Sequence, residues 1–185
     1  MLEKKIIHLS ETDISGGSSF YSFRLHNFLK KYQNIKSKMF VLKRSKFDQD
    51  IIEFPHIKNS NFKKKLLFPF LTNKNQYSFY NLGNYVINSE TQLKELLEER
   101  PDIIIIYNNS NFINPKLINF LSKKKIKIFL YLTDMEMITG GCHYNFNCRN
   151  FFNKCEKCPA ISKIFNYIPK KNLSIKKDYL KDIEL

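Results

Sequence analysis

The sequence has no apolar run approaching the roughly 18–20 residues that a membrane-crossing helix needs. The N-terminal stretch Met1 to Asp13 holds only the short apolar core Ile6-Ile7-His8-Leu9, which is too brief for the hydrophobic region of a secretory signal. The expectation is a cytoplasmic protein, with peripheral contact at the inner membrane face left open. Arginine is scarce among the 31 basic residues, and no internal repeat or linker stands out. Cysteine is sparse too. All four cysteines, with two of the five glycines, lie between Thr139 and Pro159.

What is present points to one ordinary domain. A chain of 185 residues can bury a proper core once and hardly twice. A hydrophobic content of 43% with 15% aromatics is that of a globular chain rather than a disordered one. The formal charge of +14 raises nucleic acid or an anionic membrane as partners. The lysines are spread along the whole chain, and the better base reader and phosphate clamp, arginine, is what is scarce. Solvated lysine faces account for the charge, and nucleic acid is not the favoured partner.

Taken in order, Ile6 to Leu9 reads as a buried first strand, followed by the polar turn Ser10 to Ser18 with Gly16 and Gly17. Tyr21, Leu25, Phe28, Leu29 and Tyr32 then fall on one helical face. Strand, Gly-Gly turn and helix open a Rossmann-like unit, in which backbone N–H groups at a helix N-terminus can face an anion. The pattern is not GxGxxG, and a tight strand–helix turn explains the glycines equally well. Lys38 to Leu42 is a second strand and Ile51 to Phe54 a short third. Asn61 to Leu71 sets three lysines among leucines and phenylalanines, which suits either an anionic membrane surface or a short core helix.

Ser89 and Gln92 form a capping-box pair ahead of the Leu93, Leu96 and Leu97 stripe, and the helix ends before Pro101. Ile103 to Tyr107 has the continuous apolar character of a central parallel strand, with the polar loop Asn108 to Asn111 after it. Asn114-Pro115 caps a helix with Leu117, Ile118 and Leu121 inward, and Ile126 to Leu132 delivers Thr133 and Asp134 to the carboxyl end of the next strand. Repeated strand–helix alternation predicts an α/β fold, a Rossmann-like three-layer domain with a mostly parallel sheet. The domain is expected over 1–168, with a cysteine-rich loop at 139–159 and a lysine-rich tail at 169–185.

Cys142, Cys148, Cys155 and Cys158 have the spacing C-x5-C-x6-C-x2-C. The Cys155–Cys158 pair is a common half-site for zinc, while the first pair is spaced more widely than usual and His143 is a further candidate ligand. Three readings stand side by side: a structural zinc site, two disulfides (disfavoured in a cytosolic chain), and unligated packing thiols. A closed four-cysteine site would be structural, not catalytic.

The stretches His8 to Gly17 (HLSETDISGG), Pro101 to Ile105 (PDIII) and Leu132 to Pro159 (LTDMEMITGGCHYNFNCRNFFNKCEKCP) resemble one family. They are similar to the N-terminal half of bacterial family-four glycosyltransferases of surface-polysaccharide biosynthesis, two-domain enzymes of the GT-B fold. Thr139-Gly140-Gly141-Cys142-His143-Tyr144, Cys148, Cys155, Cys158 and Pro159 match the family's hallmark, and the resemblance covers nearly the whole chain. It implies retaining sugar transfer from a nucleotide-sugar to a polysaccharide or lipid-linked acceptor, with no cofactor or metal for catalysis. It also implies that this half holds the acceptor, that Gly16 and Gly17 approach the donor phosphates, and that Asn108 and Asp134 line the cleft.

Two departures qualify the likeness. The family's histidine before the aspartate is Thr133 here, and its tryptophan two residues after Asp134 is Glu136. Threonine cannot act as an imidazole does near neutral pH. The second, nucleotide-binding half of the family has no counterpart in these 185 residues. The expectation is therefore an acceptor-side domain that is inactive alone and works with a separate C-terminal half. Two other classes compete with it: a basic zinc-containing nucleic-acid-binding module, and a membrane-surface partner of a separate glycosyltransferase subunit using Phe62 to Phe70.

Overall fold

The structure, a computed structural model, describes residues 3–54, 73, 77–79, 81, 85–107, 112–181 and 183. The lysine–phenylalanine segment Asn61 to Leu71 and the loop residue Asn108 lie outside the described residues.

Five strands form one sheet: β1 (Lys4–Thr12), β2 (Ile35–Lys43), β3 (Ile51–Glu53), β4 (Ile103–Tyr107) and β5 (Lys127–Tyr131). Their order is β3-β2-β1-β4-β5, and every pairing is parallel. Helices α1 (Gly17–Leu29), α2 (Lys94–Glu98), α3 (Pro115–Lys123) and α4 (Tyr167–Leu180) flank it. This is the Rossmann-like three-layer α/β fold read from the alternation of strands and helices. None of its described helices is long and apolar enough to cross a membrane.

The main core follows from the two-residue period of the strands. Ile7 and Leu9 of β1, Phe40 of β2, Ile104 and Ile106 of β4 and Ile128 of β5 face the Leu93, Leu96, Leu117, Ile118 and Leu121 stripes of the helices. Each such side chain contributes about 1.5–3 kcal/mol on burial. The expected start signals hold: Ser89 and Gln92 form the capping box, and the Asn114 side chain accepts from the Lys116 N–H at 3.0 Å.

Two expectations need correction. The aromatic face of α1 is not its buried face: Tyr21, Phe28 and Tyr32 are about half exposed, while Ser19, Ser22 and His26 are buried. The reason lies across the interface, where the sheet presents polar residues to the helix. Ser10 Oγ donates to Ser19 Oγ at 3.1 Å, and Ser37 Oγ lies 2.8 Å from His26 Nδ1 and 3.0 Å from His8 Nε2. A helix facing that row needs small polar side chains that answer its hydrogen bonds. The second correction concerns 169–185. What reads as a lysine-rich tail is largely helix α4, with Pro169, Asn172, Leu173 and Lys176 buried. Its buried side carries one leucine between two polar residues that bond inward, so it leaves no apolar periodicity to read.

Candidate functional site

The sheet reverses its winding between β1 and β4. From β1 the chain passes to β2 on one side, and it later enters β4 on the other. Open parallel sheets bind ligands outside the carboxyl ends of their strands at such a switch point. A cleft of about 200 Å³ lies there, lined by Ser10 and Thr12 of β1, Gly16 and Gly17 of the turn, and Tyr107 of β4.

The turn is held from within. Thr12 Oγ1 donates to the Ser15 carbonyl at 2.8 Å and accepts from the Ser15 N–H at 3.0 Å. Below it Asp13 is fully buried, and its carboxylate accepts from the N–H groups of Ile14, Ser45 and Lys46 at 3.0, 2.9 and 2.7 Å. Burial alone would raise the Asp13 pKa, but these amide donors outweigh it and hold the carboxyl below its ordinary value. Gly16 has φ +88°, a conformation that favours glycine. A Cβ at Gly17 would meet nothing within 4 Å, so no packing contact excludes a side chain there. With no side-chain cap at Gly16, the positive end of the α1 dipole faces the cleft.

Tyr107 connects the cleft to a polar chain inside the domain. Its hydroxyl lies 2.9 Å from His8 Nδ1, and the bonds continue through Ser37 to His26. Burial, and then the nearby His26, press the His8 pKa down to about 3. Burial and Lys30 lower His26 to about 4. Both rings are neutral near pH 7.

At the end of β5, Thr133 is half-buried and Asp134 is buried. One Asp134 oxygen accepts from the Glu136 N–H at 2.8 Å, and the other lies 3.1 Å from His143 Nδ1. His143 comes from the cysteine loop, whose backbone returns beside Asp134 through the Met135 N–H to His143 carbonyl bond of 2.8 Å. The structure therefore brings His143 beside Asp134 as its partner. Sequence reading missed this pair, and also the placement of Tyr107 in the cleft. The nine-residue separation of Asp134 and His143 gives no local periodicity to find.

The cysteine loop packs through its glycines. A Cβ at Gly140 would come within 2.5–2.8 Å of Pro169 backbone and side-chain atoms, and one at Gly141 would meet the Phe79 ring at 2.8 Å. All four cysteines carry free thiols, with Cys142, Cys155 and Cys158 buried and Cys148 partly exposed. They line one small cavity with Thr139 and Asn145. Among the described residues, no three His, Cys, Asp or Glu side chains stand together at metal-ligand geometry.

The structure thus brings Asp134 to His143, places Gly16 and Gly17 in the cleft with Tyr107, and gathers Cys142, Cys148, Cys155 and Cys158 around one cavity. The fold and the cleft at its switch point define an α/β domain of the Rossmann-like class. The chain matches no protein-family model, no curated protein and no solved structure.

Proposed function

We propose that this chain is the acceptor-side domain of a retaining glycosyltransferase, acting with a separate domain that carries the nucleotide-sugar. The observation that carries this reading is the pairing of Asp134 with His143 on the sheet edge that also holds the Gly16–Gly17 cleft. A buried carboxylate that fixes an imidazole can orient an acceptor hydroxyl and take up its proton. In this reading His143 supplies the imidazole that position 133 lacks. The open amides at the start of α1 suit the donor's phosphates, and the cysteine loop braces the rim.

The test is ligand-observed NMR on the purified chain with saccharides and nucleotide-sugars, alongside a transfer assay. The expected result is saccharide binding that weakens in Asp134→Asn and His143→Gln, with no transfer by the chain alone. Robust transfer by the chain alone, or no response to any saccharide or nucleotide-sugar, overturns the reading.

A further inference from the structure

We propose that Cys142, Cys148, Cys155 and Cys158 hold one structural zinc ion as four thiolates. The inference is independent of the sugar-transfer reading and rests on the interior of the cysteine loop.

The first observation is convergence. Four cysteines spread over 17 positions of sequence line a single cavity, and the Cys142 and Cys158 thiols share a hydrogen bond. The cavity has room for about one water-sized body, near 10 Å³. That suits a single ion better than an iron–sulfur cluster or an organic ligand.

The second observation is the set of donors aimed at the sulfurs. Cys158 Sγ accepts from the backbone N–H groups of Ala160 and Ile161, and Cys155 Sγ accepts from the N–H of Gly140. Amide donors of this kind orient and stabilise thiolate ligands, the role outer-shell groups play at metal sites.

The third is backbone strain. Phe146, Cys155 and Lys157 all have φ between 45° and 54°, a left-handed conformation that costs non-glycine residues roughly 1–2 kcal/mol each. Three such residues within one loop persist only where something over-determines them, and a ligand clamp is a common cause.

In the present geometry the sulfurs do not share a common ligand point, and in this proposal the ion draws them together by rotation of the thiols between staggered rotamers. Each thiol loses its proton to solvent and donates a lone pair to the ion. No oxidant is needed, whereas disulfides would need one. With four sulfurs bound, no coordination position remains for substrate. The ion would tie Cys142, next to His143, to the Cys155–Cys158 turn.

Metal analysis of the full chain, purified under reducing conditions without added metal, is expected to find about one zinc per chain. Replacement by Co²⁺ should give the visible bands of a tetrahedral four-thiolate centre. Cys148→Ser, at the most exposed of the four, should weaken zinc retention against a chelator by at least about tenfold. Should that variant fail to fold, the metal content and Co²⁺ spectrum of the unsubstituted chain decide. Zinc far below one per chain with four reactive thiols, or two disulfides by mass, overturns the proposal. None of these outcomes depends on sugar binding.

Discussion

Lys176 Nζ lies 2.7 Å from Glu136 Oε1, with the two side chains only 2% and 0% exposed. The same ammonium donates to the backbone carbonyls of Glu136 and Thr139, and Asn81 donates to the carboxylate. Beside it Asn172 donates to the Asn81 and Gly140 carbonyls at 2.7 and 3.1 Å. Helix α4 is therefore bolted to the turn that carries Asp134 and to the start of the cysteine loop. Such a pair stabilises only while both partners remain, because desolvation of each charge is costly.

Removing one partner is the direct check. Lys176→Met should destabilise the domain by about 3–5 kcal/mol, since Glu136 is left as an uncompensated buried charge. The double variant Lys176→Met with Glu136→Gln should recover a large part of that loss. Urea unfolding of the two variants measures both; equal stability of single and double variants would contradict the account.

The two glycine pairs should respond in opposite ways. Gly140→Ala places a methyl against Pro169 backbone atoms and should cost about 1–3 kcal/mol or more. Gly17→Ala meets nothing within 4 Å at the first position of α1 and should leave stability unchanged or raise it by up to about 1 kcal/mol. If the α1 N-terminus takes the donor's phosphates, Gly17→Ala will also weaken nucleotide-sugar binding while the melting temperature holds.

Acid should unfold this domain through its interior histidines. His8 and His26 have folded-state pKa values lowered from 6.5 to about 3 and about 4. The unfolded chain therefore binds protons that the folded one refuses. Stability is fully present above pH 6.5 and falls as the pH drops toward 4 and then 3. At about 1.4 kcal/mol per pKa unit, His8 alone accounts for on the order of 5 kcal/mol. Asp13, lowered from its ordinary 3.8, adds a further loss below that pH. Urea midpoints across pH 7 to 4 test the slope, and His8→Gln should flatten it.

Helix α1 offers a test of which face is buried. Phe28→Ser should change stability by no more than about 0.5 kcal/mol, as is usual for exposed positions. Ser22→Leu, which adds apolar bulk at a buried site, should cost about 1–3 kcal/mol. Thermal melts of the two variants decide between the observed face and the one suggested by hydrophobic spacing.

Much of the fold was legible from residues alone. The isoleucine run Ile103 to Ile106 can only be satisfied between two other strands, and Ser89 with Gln92 and Asn114 with Pro115 mark helix starts by local hydrogen bonding. These features depend on neighbours close in sequence, where spacing carries the physics. The α1 face was misleading because its partner is a polar row on the sheet, which hydrophobic periodicity does not register.

The site divides along the same line. By itself the sequence determined the parallel α/β sheet, the Gly16–Gly17 turn at the head of α1, and the concentration of all four cysteines in one loop. Strand and helix periods, caps and residue counts are local properties, and they survive without coordinates. Only the tertiary structure decided that His143 joins Asp134, that Lys176 from a lysine-rich segment neutralises Glu136 in the core, and that Tyr107 lines the cleft. Those relationships depend on which charged and polar groups are withdrawn from water together. Burial of that kind is a property of the packed chain and has no spacing of its own.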